Sequence, residues 1–554
     1  MALIFVRRHC FISLQYGFTT LPITIFLVAV LLGGLLLSFV TPSNTNLVSV
    51  TTYHNNNSRD GLNAKETLLT LANVNPNQFG KLFSHPVDGY VYAQPLYLPQ
   101  VNIAGKGVHN VVYIATEHDT IFAFDADSDA GANRAPLWKR SFINPSLGTT
   151  TVASRSDLDC SDLIPEIGIT GTPVIDATTN TMYVVVRTKE NGLFVQRLHA
   201  LDVGSGAEKF GGPVVIQARV RGHGDGSLNG FVYFDPLRNN QRPGLLLQNG
   251  SVYISWASHC DHGPYHGWVI SYNATTLQQN GVWNSSPNAG LGGIWQAGAA
   301  PATDKQGNIY VATGNALFDA NRGGLDYGDS VVRLASSGNE LQVVDYFTPY
   351  DQAFLNDNDI DLGSGGPVLL PTQPVGSPHQ HLLTVAGKEG IIYLLDRDNL
   401  GHFNPKNNNQ IVQTIQGFSC CTGGNATWWN NHAYFPAVFD PLKAWTFDPA
   451  TGLFSAMPSS QTREVFNFPG AFASVSSNGN QNGILWAVQD DGYPSGSAIL
   501  RAYDAADLTH EIYDSNQNLT RDNPGRSGKF TVPMIANGKV YVATRQYISV
   551  YGLL

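Results

Sequence analysis

One unit recurs along this chain and limits its fold more than any other feature: a hairpin of two short β-rich runs, the first rich in tyrosine or aliphatic residues, the second often ending in Asp. The clearest copies are VVYIATEHDTIFAFDAD (111–127), LLTVAGKEGIIYLLDRDNLG (382–401), HAYFPAVFDPLKAWTFDPATG (432–452) and GKVYVATRQYISVYG (538–552). Weaker copies begin at Thr181, Ser251, Asn308 and Gly483. Eight hairpins at a spacing of about sixty residues overturn the three or four domains that a length of 554 residues would otherwise suggest.

A second element precedes many of the hairpins: small residues, then Pro, then apolar residues, as in AQPLYL (93–98), GTPVID (171–176), AAPATD (299–304), GGPVLL (365–370) and TVPMIA (531–536). Proline cannot donate to a ladder and is confined to edge strands or bulges. In a β-propeller the innermost strand of each blade is such an edge, and small residues let these strands crowd the axis. The repeat therefore reads as a four-stranded antiparallel blade, inner strand first, and the fold class as an all-β, eight-bladed β-propeller over residues 79–554. The final copy runs out after its third strand at Tyr551, while FGKLFSHP (79–86) stands unpaired before the first inner strand. That segment is expected to supply the outer strand of the last blade and close the ring.

Upstream, residues 1–20 carry Arg7 and Arg8 and read as a cytoplasmic segment, followed by the uncharged run LPITIFLVAVLLGGLLLSFV (21–40). That run is long enough to cross a bilayer core of about 30 Å as a helix with its basic end inside. It exceeds the usual apolar core of a signal peptide and no A-x-A site follows, so an uncleaved transmembrane anchor is the expectation, with a long signal sequence as the alternative. Residues 41–78 read as a polar linker and lead-in, and the propeller as membrane-anchored or secreted, outside the cytoplasm. The 42 acidic and 32 basic residues, net charge −10, occur without long runs of either sign, so no basic surface tracks a phosphate backbone and nucleic acid is not an expected partner.

Strand polarity sorts the loops. The loop before each inner strand and the turn between its second and third strands share one rim, and that rim carries Glu117, His118, Lys189, Glu190, His259, Asp261, His262, Asp351, Asp357, Asp359, Asp361, Lys388, Glu389, Asp490, Asp491 and Arg545. The opposite loops are mostly tight turns such as ATTN (177–180) and ANG (536–538). One functional face is the expectation. HCDHGPYH (259–266) matches no closed zinc spacing and reads as a surface loop.

The blades, with their A-x-D-x-x-T-G-like strand ends, resemble the repeats of pyrroloquinoline quinone (PQQ) proteins. The sharper resemblance, to quinoprotein alcohol dehydrogenases, lies mid-chain. Trp295 opens WQAGAAPATD, and NIYVATGN (308–315) ends in Asn315; TPYDQ (348–352), DIDLGSGG (359–366) and AGKEGIIYLLDRD (386–398) follow. The resemblance implies that Trp295 floors the cofactor and that Asn315, Glu190 of RTKENG (187–192) and Asp361 ligate Ca²⁺. It also implies that Asp359 or Asp361 is the catalytic base, and that Lys388 faces the quinone. These types suit the chemistry: a hard cation takes oxygen ligands, a carboxylate takes the alcohol proton, and a cation stabilises charge on the reduced quinone. Where the enzymes carry a W-D pair this chain has AFLNDND, and no C-x-x-C-H occurs, so an external electron acceptor is implied.

Cys420 and Cys421 are adjacent in GFSCCTGG (417–424), and an oxidising compartment favours their pairing, with two free or intermolecular thiols as the alternative. The family has a similar adjacent-cysteine ring over its quinone, near the first blades, whereas this pair precedes the sixth inner strand. Cys160 and Cys260 share the rim and are candidates for a second bridge, while Cys10 precedes the apolar run. The sequence thus reads as an extracytoplasmic quinoprotein-like oxidoreductase using PQQ and Ca²⁺ on an alcohol or sugar. The second reading is a noncatalytic propeller whose acidic rim binds a protein or glycan at the cell surface.

Overall fold

In the computed structural model, which describes residues 47–554 except 339, 422 and 423, each repeated hairpin is the central pair of an antiparallel blade. Eight sheets of at least four strands form, seven of them with their blade strands in chain order. Blade one is Leu96–Ile103, Gly107–Thr116, Thr120–Asp125 and Trp138–Ser141. Blade seven is Ala471–Asn478, Gln481–Gln489, Ile499–Asp504 and Glu511–Asp514. The eighth blade is the exception: Met534–Ala536, Lys539–Ala543 and Tyr547–Leu553 are completed by Phe79–Pro86, which pairs antiparallel with the last strand. The ring closes as its sequence pattern requires.

The repeated residues have identifiable tasks. Pro95, Pro173, Pro301, Pro367 and Pro533 each stand at or just before the start of an inner strand, where a missing N–H costs no ladder bond. The recurrent tyrosine of the second strand donates its hydroxyl to the next blade: Tyr113 to Val203 O (3.0 Å), Tyr183 to Ala274 O (2.7 Å), Tyr434 to Ala505 O (2.6 Å) and Tyr541 to Ala126 O (3.1 Å). Apolar layers fill the wedges between blades. Tyr97, Ile114 and Phe122 of blade one, for example, pack with Tyr541, Ile548 and Val550 of blade eight.

Residues 47–66, expected as part of a polar linker, instead enter the channel and bond to every blade. Val48 exchanges bonds with Asn537 of blade eight, Val50 with Tyr97 of blade one, and Thr51 O accepts from Ile175 of blade two. Asn57 bonds to Leu247 of blade three through its amide and to Thr303 of blade four through its carbonyl. Ser58, Asp60 and Gly61 then accept from Leu369, Trp428 and Val475 of blades five, six and seven, and Asn63 returns to Ile535 of blade eight. Arg59 is fully buried at the centre of this turn, donating to Pro301 O (3.0 and 2.9 Å), Thr52 Oγ1 (2.7 Å), Tyr53 O and Asn56 O (both 3.1 Å). The run YHNNNSRDG is polar because its groups satisfy the inner edges, which a pattern search takes for a loop.

The expected segments 1–20 and 21–40 lie outside the described residues; among those described, no helix is long and apolar enough to cross a membrane.

Deletion through Pro86 removes both the lacing and the closing strand and leaves Tyr547–Leu553 as an open edge. Cooperative thermal unfolding, followed by circular dichroism, is expected to be lost; a truncated protein that melts as the full chain does would contradict the closure.

Candidate functional site

The loops that precede the inner strands converge on one end of the channel and enclose a cavity of about 610 Å³. Arg242 comes from the loop before blade three, Trp295 from that before blade four, and Asp361 from that before blade five. Cys421, Phe468 and Lys529 come from the loops before blades six, seven and eight, and Lys388 from the turn between Leu382–Ala386 and Ile391–Asp396.

Gly314 lets the acidic end of the cavity assemble. A Cβ there would lie 2.4 Å from Asp361 Oδ1 and 3.1 Å from Trp295 Cδ1, so only glycine allows the indole and the carboxylate this close to the chain. Asp361 Oδ1 accepts from the Asn315 N–H (2.8 Å) and Oδ2 pairs with Lys388 Nζ (2.6 Å). Asp359, more exposed, accepts from Lys388 Nζ (2.9 Å) and Asn315 Nδ2 (3.1 Å). Burial alone would lower the Lys388 pKa, but Asp361 and Asp359 outweigh it and raise it, so the amine is a fixed cation. Asn315 Oδ1 is buried with no hydrogen-bond partner. Asp261 sits on the facing loop, accepting from Tyr265 (2.6 Å); burial pushes its carboxyl pKa up, and the charges of Asp361 and Asp359 add to that.

The other end is cationic and aromatic. Arg242 is 6 % exposed, makes no ion pair among the described residues, donates to Ala297 O (3.1 Å) and lies 4.7 Å from the centre of the Phe530 ring. Gly298 makes room for it, since a Cβ there would lie 2.5 Å from Arg242 Nη1. Lys529 pairs with Asp162 and lies over Phe468, Phe530 and Tyr493, with 5.2, 5.0 and 5.9 Å to the ring centres. A guanidinium buried without a carboxylate is costly, and an anionic ligand would offset that cost.

Both cysteine pairs are disulfides and both reach this cavity: Cys160–Cys260 with Cα atoms 5.8 Å apart and Cys420–Cys421 with 3.8 Å. The Cys160–Cys260 bridge ties the loop before blade two to the second turn of blade three and brings Asp261 to the wall. HCDHGPYH, expected as a plain surface loop, is in part cavity lining because that bridge draws it inward.

The structure thus gathers Trp295, Asp361, Lys388 and Cys421 at one cavity, with Asn315 bonded to Asp361, Cys420 bonded to Cys421, and Asp359 at the Lys388 amine. Glu190 does not join them. It is held by Arg197 and by Thr188 Oγ1 (2.8 Å) and lines a separate cleft with His199 and Glu208, because the turn of blade two folds against its own third strand. Asp351 precedes and Asp357 ends the short helix Gln352–Asp357, and neither lines the cavity. Sequence reasoning passed over Arg242 and Lys529. Both lie in the loop just upstream of an inner strand, in QRPG and GKFTVP, which is the signal that finds them.

The comparisons agree with this fold. The chain is similar to the quinohemoprotein alcohol dehydrogenase of Comamonas testosteroni (TM-score 0.58, 13% identity, 91% of this chain and 80% of that one). It is likewise similar to quinohemoprotein alcohol dehydrogenase ADHIIG of Pseudomonas putida HK5 (0.57, 14%, 91% and 80%) and to a europium-containing methanol dehydrogenase (0.55, 11%, 91% and 98%). The likeness at these identities is one of fold: the chain is an eight-bladed β-propeller, an architecture it shares with these enzymes. Its sequence matches no family model and no curated protein.

Two buried carboxyls near the cavity give a pH signature. Burial pushes Glu117 up from 4.5 to about 7, against hydrogen bonds from Gly168 and Thr170, and pushes Asp490 up from 3.8 to about 7, against the Thr531 hydroxyl. Raised acids favour the fold fully below their unfolded values, and that contribution is lost as pH rises through about 7. Glu117→Gln and Asp490→Asn are therefore expected to gain stability relative to wild type between pH 5 and 8, by on the order of 2 kcal/mol each. Urea titrations at several pH values would show it, and a constant difference across that range would contradict the assignment.

Proposed function

We propose that the protein is a quinoprotein-like oxidoreductase that binds PQQ and an oxygen-ligated cation in this cavity and oxidises an alcohol or sugar for an external acceptor. The observation that carries this reading is the convergence of Trp295, the Asp361–Lys388 pair and the unpaired Arg242 on one cavity. The two disulfides support a propeller that works outside the cytoplasm, secreted or anchored by the apolar run 21–40.

The residues fit such a cofactor. Arg242, Lys529 and Lys388 would hold the carboxylates and carbonyls of a planar polyanion, and Trp295 and Phe530 supply flat apolar surface. The buried, partnerless Asn315 Oδ1 and the Asp361 carboxylate would hold the cation, with Asp261 as a further oxygen donor on the facing loop in the role that Glu190 cannot fill from its own cleft. When bound, the ortho-quinone supplies a hydride acceptor, polarised by the cation. The chain supplies the rest. Asp361, fixed by the Asn315 N–H and Lys388, takes the substrate hydroxyl proton as general base. Lys388 keeps a positive charge beside that carboxylate.

Calorimetry with PQQ and Ca²⁺ is expected to give binding that Arg242→Gln or Lys529→Met weakens by about tenfold or more. Asp361→Asn is expected to retain PQQ yet reduce an artificial dye at least about a hundredfold more slowly than wild type with an active alcohol. Absence of PQQ binding, together with no dye reduction across a panel of alcohols and sugars, would overturn this reading in favour of a noncatalytic surface propeller.

A further inference from the structure

Two residues of the cavity lining, Ala297 and Phe530, pack on a buried cluster to which the N-terminal lacing segment contributes Tyr53. Tyr53 is 2 % exposed and belongs to a buried cluster with Ala299, Ala300, Phe472 and Val532, against which Ala297 and Phe530 pack. Ala297 and Phe530 are the two residues that hold Arg242, one by accepting from its guanidinium and the other by lying beneath it. Tyr53 is itself braced from below. His54 stacks on it, with ring centres 4.4 Å apart and planes within 13°. The His54 N–H is fixed by Gln94 Oε1 (2.9 Å), its Nδ1 lies 3.2 Å from Arg59 O, and Arg59 ties residues 52, 53 and 56 to Pro301. Arg242 is also the charge that acts most strongly on the Tyr53 phenol.

We propose that Tyr53 is a positioning residue for Arg242, so that seating of the segment Val48–Gly61 and binding of a carboxylate-bearing ligand in the cavity are thermodynamically coupled. The ligand half of this proposal rests on the anion-binding reading above; the seating half rests on packing alone. The ring does the positioning. It is the one large side chain that the N-terminal segment gives to the cluster on which Ala297 and Phe530 pack, beside the Phe472 ring that also meets Phe530 (5.7 Å between centres). Coupling is reciprocal: if the seated segment prepares Arg242 for an anion, the bound anion must tighten the segment.

The test uses the full chain, with PQQ and benzene-1,3,5-tricarboxylate as probes and hydrogen exchange by mass spectrometry as the second readout. Tyr53→Ala is expected to weaken binding of both probes by about tenfold and to speed exchange of the amides of residues 50–61 and of Gly298 and Ala299. Tyr53→Phe, which keeps the ring, is expected to restore both. In wild type, either probe is expected to slow exchange of residues 50–61. Unchanged probe affinity in Tyr53→Ala, or exchange of residues 50–61 indifferent to a bound probe, would overturn the coupling. If wild type binds neither probe, the anion-binding reading fails by itself, and the seating claim is decided by Gly298 and Ala299: faster exchange in Tyr53→Ala supports it, unchanged exchange overturns it. Should Tyr53→Ala fail to fold, Tyr53→Leu takes its place with the same outcomes.

Discussion

A propeller of open blades leaves eight inner strands whose outward backbone groups face a channel, and most of what is particular to this molecule follows from how those edges are satisfied. One stretch of about twenty residues, Val48 to Glu66, visits every blade and bonds to it once or more. Buried N–H and C=O groups left without partners are expensive, and here one segment supplies them in sequence around the axis. The lacing and the Phe79–Pro86 strand act on the same problem from two sides. One ties the inner edges together, and the other removes the open outer edge where the chain's two ends meet.

The chemistry gathers at the opposite mouth because that is where the loops before the inner strands point. Arg242, Trp295, Asp361 and Lys529 each stand in the loop that leads into an inner strand, so the repeated course of these loops aims different side chains at one volume. Electrostatics then divides the volume. Lys388 is occupied by Asp361 and Asp359, and Lys529 by Asp162, while Arg242 makes no ion pair among the described residues. A carboxylate held by a cation at one end and a guanidinium with no ion pair among the described residues at the other make a site with two unlike halves, which suits the proposed pairing of a flat anion with a small hydroxyl compound.

Much of this was legible in the sequence, and the parts that were not have physical reasons. Tyr113, Tyr183 and Tyr541 recur because each bridges to the following blade, so a hairpin search finds the blades. FGKLFSHP was legible as the closing strand because a blade was one strand short. The segment around Arg59 was not, because its order comes from partners hundreds of residues away and its polarity mimics a linker. Glu190 and Asp261 occupy the same kind of turn on neighbouring blades, and repetition makes such positions interchangeable on paper. Only the Cys160–Cys260 bridge and the course of each hairpin separate the one that faces Asp361 from the one that pairs with Arg197.

The cavity is proposed as a site for a planar polycarboxylate quinone. A crystal structure of the full chain grown with PQQ and Ca²⁺ tests that most directly. Density for the quinone within the cavity, its carboxylates on Arg242 and Lys529 and a cation at Asn315 and Asp361, is the predicted result. An empty cavity at saturating PQQ, or quinone density confined to a cleft on the outer surface, would contradict it.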